Sequence, residues 1–171
     1  MKRLYLLRHA KSSWDHPGLA DHDRPLAPRG RRASKTMAEH LQWRDIKPEL
    51  VVCSSAKRTR QTLSGIAGAL GEVAEVEIEP DLYAASASEL LEVLHGIDDR
   101  VDSVMLIGHN PGIENLTLDL AREGPELSRV RQKFPTAALA TLEFDVSWGD
   151  LEPESCELVS FVKPKELARS A

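Results

Sequence analysis

The feature that most restricts the fold of this chain is a set of apolar runs four residues long, each followed at once by polar residues or a glycine. Leu4-Tyr5-Leu6-Leu7 leads into Arg8-His9, Leu50-Val51-Val52-Cys53 into Ser54-Ser55, and Val104-Met105-Leu106-Ile107 into Gly108-His109. Runs of this length suit buried strands and are too short for helices. Between them lie stretches with helical spacing. Residues 29–43 carry Ala33, Met37 and Leu41 on one face, residues 56–70 end at Gly71 in a position suited to a C-cap, and residues 86–97 carry Leu90, Leu91, Val93, Leu94 and Ile97. This alternation predicts a mostly parallel α/β sheet covered by helices on both faces. In such sheets ligands bind beyond the carboxyl ends of the strands, so the residues that follow each run are the candidates for a site.

The remaining segments fill in this frame. Residues 12–28 are rich in Pro, Gly, Asp and His without a sustained period, which predicts a long loop of the functional or mobile kind. Val73, Val76 and Ile78 alternate, less regularly, with Glu75, Glu77 and Glu79, and suit a strand with one wet face that ends at Pro80; the glutamates, with Glu72, are read as that wet side. Pro111 is placed to be the first residue of a helix reaching about to Arg122. Residues 131–138 are irregular, and residues 139–144 and 157–162 have strand character, either antiparallel or at the sheet edge.

Composition narrows the functional class. At 171 residues, 42% hydrophobic and 29% charged, the chain suits one globular domain with a substantial core. With 22 Lys and Arg against 27 Asp and Glu, the net charge of −5 gives no overall footprint for nucleic acid or an anionic membrane and leaves room only for a local basic pocket. Cys53 and Cys156 are far apart and are read as small buried hydrophobes in a reducing compartment. The four apolar residues before Arg8 make neither a signal peptide nor a membrane span, which places the protein in the cytoplasm.

If the runs are neighbouring parallel strands, Arg8, His9, Arg58 and His109 converge on one crevice. Two guanidiniums and two imidazoles suit a bound dianion. Arg binds phosphate oxygens through a planar, bidentate fork, and a helix starting at Pro111 would add a positive dipole end and free N–H groups. Neutral imidazole can also attack phosphorus, splitting one displacement into two. His16, His22, Asp21 and Asp23 share one loop without a recognisable ligand spacing, and no metal or other cofactor is expected. His40 and His95 are read as surface or boundary residues, Lys57 and Arg60 as solvated or rim charges, and Trp14, Trp43 and Trp148 as packing residues.

Four motifs occur together and in order: Arg8-His9-Ala10-Lys11-Ser12-Ser13-Trp14-Asp15; Asp21-His22-Asp23-Arg24-Pro25-Leu26 with Arg29-Gly30; Ser54-Ser55-Ala56-Lys57-Arg58-Thr59-Arg60-Gln61-Thr62; and Gly108-His109-Asn110-Pro111-Gly112. In these motifs the chain resembles the histidine phosphatase superfamily, also called phosphoglycerate mutase-like, and within it the small phosphohistidine phosphatases of the SixA type. The resemblance implies a single-domain, three-layer α/β/α fold with a mostly parallel central sheet, residues 1–171 forming one histidine phosphatase domain. It implies a metal-independent phosphatase with His9 as nucleophile, Arg8 and Arg58 clamping the phosphoryl oxygens, and His109 stabilising the charge of the transferring group. Ser12 would add a hydrogen bond. Arg24 is either a phosphate or substrate contact or the partner of Asp21 or Asp23 in an ion pair that holds the loop.

The chain departs from relatives that carry an acidic proton donor after the third strand, because Tyr83-Ala84-Ala85-Ser86-Ala87-Ser88 offers no carboxylate before Glu89. Relatives with an Asp after the second histidine find Asn110 here. Asp15, Asp21, Asp23 and Glu89 are the remaining candidate donors. An alkoxide leaving group needs such an acid more than an imidazole does, so the expected substrate is protein phosphohistidine. The compact connections around Arg58 and His109, with no inserted cap, suit a phosphorylated protein. The alternatives are a small-molecule phosphomonoesterase acting on a phosphorylated metabolite and a phosphate-sensing module without turnover.

Overall fold

The computed structural model describes residues 1–72 and 75–170. Each apolar run forms a strand: β1 (Lys2–Arg8), β2 (Leu50–Ser54) and β4 (Ser103–Gly108). With β3 (Glu75–Glu79), β5 (Leu139–Phe144) and β6 (Glu157–Val162) they make one sheet in the order β3-β2-β4-β1-β5-β6. The first four strands are parallel, β5 runs antiparallel to β1, and β6 runs antiparallel to β5. This is the mostly parallel sheet expected, with both late strands in antiparallel pairs; β5 lies inside the sheet and β6 at its edge.

The helices are α1 (Pro28–Trp43), α2 (Lys57–Leu70), α3 (Ala87–His95), α4 (Gly112–Leu120), α5 (Leu127–Gln132) and α6 (Pro164–Ser170). Strand side chains alternate between faces, which divides the core. Tyr5, Leu7, Val51, Cys53, Met105 and Ile107 pack with Met37, Leu41 and Ile66 under α1 and α2. Leu4, Leu6, Leu50, Val52, Val104 and Leu106 pack with Leu90, Leu94, Ile113, Leu116 and Val130 under α3, α4 and α5. The result is the three-layer α/β/α architecture. Both cysteines are unbonded and buried, and burial pushes the Cys53 thiol up to about 12.

Several local expectations shift. Pro111 caps α4 rather than opening it, its carbonyl accepting the N–H of Asn115 (2.9 Å). Gly71 does end α2, with φ of 80°. Val73 lies outside the described residues; Val76 and Ile78, expected to be the buried side of their strand, are each 47% exposed, because β3 sits at the sheet edge and packs chiefly on β2. Trp148 is buried as a packing residue, whereas Trp14 and Trp43 are exposed: Trp14 stacks on Arg24 and Trp43 lies near Arg44 at the end of α1. Helices α5 and α6 have too few residues for their period to stand out. Among the described residues no helix is long and apolar enough to cross a membrane.

One glycine sets how closely α1 approaches the loop after β1. The N–H of Ala27 bonds the Lys11 carbonyl (2.9 Å), and a Cβ on Gly30 would fall 2.1 Å from that same oxygen. Gly30→Ala is expected to lower stability by about 1–3 kcal/mol in urea denaturation. Gly18→Ala, with no heavy atom within 4 Å of the new Cβ, should stay within about 0.5 kcal/mol of the parent.

Candidate functional site

Parallel pairing brings three strand ends to one rim. Arg8 pairs with Gly108 and Cys53 with Ile107, so Arg8-His9, His109 and Ser54 leave the sheet together. The backbone at His9 is held from several sides: its N–H bonds the Gly108 carbonyl (3.0 Å), and the N–H of Ala137 lies between the carbonyls of Arg8 (3.0 Å) and His9 (3.1 Å). The N–H of Ala10 is held by the Thr62 hydroxyl (3.0 Å).

His9 Nδ1 lies 2.7 Å from the Ala10 carbonyl oxygen. A carbonyl only accepts, so Nδ1 carries the proton and, in the neutral ring, Nε2 keeps its lone pair. The ring is neutral at ordinary pH because burial, joined by the charges of Arg58, Arg8 and Arg24, lowers its pKa to about 4 against the partial offset of the Ala10 bond. The His109 ring centroid is 5.2 Å from that of His9. His109 Nε2 bonds Ser54 Oγ (2.7 Å), and burial, with His9 and Arg58 nearby, pulls its pKa to about 3. Two buried nitrogens here have no partner among the described residues: His109 Nδ1 and Arg8 Nε. Unmet buried polar atoms are costly, so an anion that reached either nitrogen would gain a hydrogen bond there. Arg8 is otherwise fixed through Nη1 on the Phe134 carbonyl (2.8 Å), which the Asn110 side-chain amide also reaches (3.1 Å).

Asp21 ties together the other basic residues. Its Oδ1 accepts from Arg24 Nη1 (3.0 Å), and its Oδ2 accepts from Arg58 Nη2 (3.0 Å) and from the Tyr83 hydroxyl (2.5 Å). Arg58 Nη1 also donates to the Asp21 carbonyl (2.8 Å). The Tyr83 hydrogen bond and the two guanidiniums hold the Asp21 carboxyl well below the usual range. Arg24 reaches back through Nη2 to Ser12 Oγ (2.7 Å) and through Nε to the Ser13 carbonyl (3.0 Å). Of its two readings, the ion pair with Asp21 is therefore formed. Ser12 is buried and engaged by Arg24, and its own O–H remains available as a donor.

The sequence-predicted quartet is brought together, and Tyr83, His22, Ser54 and Ser55 lie around it. Tyr83 and His22 meet edge to face at 4.9 Å, Tyr83 and His109 at 5.6 Å, and His22 Nε2 lies 2.9 Å from Ser55 Oγ. Ser54 was legible only as the end of a strand before a helix. The carboxylates considered as donors are placed otherwise: Asp21 is committed to two arginines, Glu89 closes a capping box with Ser86 at the start of α3, which lowers its pKa, and Asp15 and Asp23 are exposed. The start of α4 offers fewer free N–H groups than expected, since those of Ile113 and Glu114 go to the His109 carbonyl (2.9 Å) and Asn110 Oδ1 (3.2 Å). Among the described residues no three His, Cys, Asp or Glu side chains group as metal ligands.

Residues 4–91, which include Arg8, His9 and Arg58, match the family model of the histidine phosphatase superfamily, branch 1. An uncharacterised protein of Mycobacterium leprae is 37% identical over 167 residues, spanning 93% of this chain and 100% of that one. A proposed phosphohistidine phosphatase SixA from Nakamurella multipartitia has a similar structure, with a TM-score of 0.84 and 29% identity over 95% of this chain and 96% of its own. Another, from Agrobacterium tumefaciens, gives 0.83 and 31% over 95% and 98%.

The depressed imidazoles predict an unusual acid limb. A histidine with its ordinary pKa near 6.5 would charge between pH 7 and 6, whereas His9 and His109 stay neutral down to about pH 5 in the free enzyme. Their imidazole NMR resonances should titrate with midpoints near 4 or below, and kcat/KM, corrected for substrate protonation, should show no fall near pH 6.5. A midpoint above 6 for either ring would overturn this electrostatic picture.

Proposed function

The chain belongs to the histidine phosphatase superfamily, and from that premise we propose that it removes phosphoryl groups through a covalent intermediate on His9, without a metal ion, acting in the cytoplasm on phosphohistidine in another protein. Residues 1–171 form, in this reading, one catalytic domain. The observation that carries it is the neutral His9 Nε2 presented among Arg8, Arg58 and His109, two of which keep a buried nitrogen without a partner.

In the first step His9 Nε2 attacks phosphorus, forming one N–P bond while the bond from phosphorus to the substrate imidazole breaks. The departing imidazole keeps the electron pair and takes a proton from solvent, so it leaves as the neutral ring. Arg8 and Arg58 bind the non-bridging oxygens, and His109 donates from Nδ1 while Ser54 donates to its Nε2. In the second step water attacks the phosphorus on His9, giving orthophosphate and neutral His9, with the water's proton passing to phosphate or solvent. Phosphoryl transfer is chiefly positioning and electrostatic stabilisation, which guanidiniums and imidazole N–H groups supply. Ser12 and Arg24 act from behind, Arg24 through the Asp21 carboxylate that it shares with Arg58.

Leaving-group chemistry supports the substrate class. Asp21 and Glu89, the carboxylates most readily cast as acids, are held ionised by their partners. An alkyl phosphate gains about a hundredfold or more from a placed acid, whereas an imidazole leaves more readily. The structural relatives named for phosphohistidine phosphatase activity are consistent with this choice. The test compares a phosphohistidine protein with sugar and nucleotide phosphates under one set of conditions. The phosphohistidine substrate should be favoured by at least about a hundredfold in kcat/KM. Rapid quench should trap acid-labile phosphate on the wild type, and His9→Ala should lose that phosphate and about a thousandfold or more of turnover. Unchanged activity in His9→Ala would sink the mechanism.

A further inference from the structure

The outer edge of the sheet is open on the side away from β2. Among the described residues β3 pairs with β2 alone, and the N–H of Glu75 bonds the Glu49 carbonyl (3.1 Å). Backbone groups alternate in direction along a parallel strand, so Glu75, Glu77 and Glu79 bond inward while Val76 and Ile78 turn their N–H and C=O groups to the open side. Side chains alternate as well. Val76 and Ile78, each 47% exposed, occupy one face. Glu75, Glu77 and Glu79 occupy the other, where a groove of about 1290 Å³ separates β3 from α3. Its floor is apolar, with Leu50 and Val52, and Glu92 adds to its acidic wall. Arg100 is the one cationic side chain among the lining residues, and it is already bound to Asp98 (2.8 Å).

Charges on an edge strand commonly serve only to prevent pairing. Here they also bear on what could pair with the strand. A second copy laid against β3 would set glutamate near glutamate, which disfavours self-association. The two β-branched side chains nevertheless leave an apolar strip beside unpaired backbone groups. We propose that β3 accepts an added strand from a partner protein in which basic and apolar residues alternate, the basic side chains meeting Glu75, Glu77 and Glu79 and the apolar ones meeting Val76 and Ile78.

The position of the edge connects it to the catalytic pocket, and this part rests on the phosphoprotein reading above. Glu79 pairs with Ser54, whose hydroxyl holds His109. The chain then turns through Pro80–Leu82 to Tyr83, which touches both His109 and Asp21. A strand added to β3 therefore lies two strand spacings from Ser54, about 10 Å, and places its phosphorylated neighbour at the mouth of the pocket.

The experiment uses the full chain and a fluorescein-labelled nine-residue peptide alternating Lys with Val or Ile, alongside a peptide of identical composition with its lysines in one block. By fluorescence anisotropy the alternating peptide should bind at least tenfold tighter than the block peptide, and Glu75→Lys with Glu77→Lys should remove that advantage. The Val76 and Ile78 amides should become protected from hydrogen exchange on binding. A phosphohistidine appended to the alternating peptide should be hydrolysed with kcat/KM at least tenfold above free phosphohistidine in the wild type. The double variant should lose the difference while hydrolysing free phosphohistidine normally. Equal affinity for the two peptides, or unchanged affinity in the double variant, would overturn the docking site. Peptide binding without hydrolysis of any phosphohistidine compound would uphold the edge and defeat the substrate reading.

Discussion

The structure depends on one electrostatic constraint: three guanidiniums and two imidazoles share a small, largely buried region. At an effective dielectric of 20, two like charges 4 Å apart repel by about 4 kcal/mol, so the arrangement must keep its charge low. It does so in two ways. Burial keeps His9 and His109 neutral. The Asp21 carboxylate is shared between Arg24 and Arg58, with the Tyr83 hydroxyl on the same oxygen as Arg58. This explains the order in a long loop of little regular structure. Residues 12–28 are fastened by the bridge between Ser12 and Leu26, by the N–H of Ser13 on the Pro25 carbonyl (2.8 Å), and by Arg24 on Ser12 and Ser13. The loop forms a fixed wall of the site whose geometry the ion pairs depend on.

The sheet order explains why distant residues meet at that wall. β4 enters between β1 and β2, so the strand that delivers His109 is flanked by those that deliver Arg8-His9 and Ser54. The same insertion buries β1, β2 and β4 on both faces, which is why they read as uninterrupted apolar runs. On the other side of β1, β5 runs antiparallel, and the segment entering it supplies the Phe134 carbonyl to Arg8 and the Ala137 N–H to the β1–His9 corner. Ala137 holds a φ of 61° there, a left-handed backbone stabilised by its two carbonyl contacts.

The legibility of each part follows from the range of the interaction behind it. Buried strands and long amphipathic helices write their period into adjacent residues, and the strand ends carrying Arg8, His9 and His109 could be placed from that alone. Arg58 needed its neighbours in the third motif. Asp21 was legible as one carboxylate in a polar loop, but its partners lie 3, 37 and 62 positions away, and no local pattern encodes such a bridge. Ser54 is similar: its hydroxyl meets His109 only because β2 and β4 pair. The two faces of β3 were assigned from alternation alone, which predicts opposite directions but not whether a helix covers either one. Trp14 was misread for a comparable reason, since an indole stacked on a buried guanidinium can stay largely in solvent.

The balance of charges also bears on the proposed reaction. If Asp21 served as a proton donor, it would have to be neutral at the start of the step, leaving Arg24 and Arg58 without their shared anion. A bound phosphoryl dianion could replace that anion for Arg58, but Arg24 is held by Ser12 and Ser13 on the loop side. Protonating Asp21 would therefore weaken the loop at the moment when its geometry is needed. The arrangement suits a structural role for Asp21 and a substrate whose leaving nitrogen does not require a carboxylic acid. In that account the missing acid and the fixed loop have one cause: the carboxylate that contacts Arg58 is already engaged in holding Arg58 and Arg24 in place.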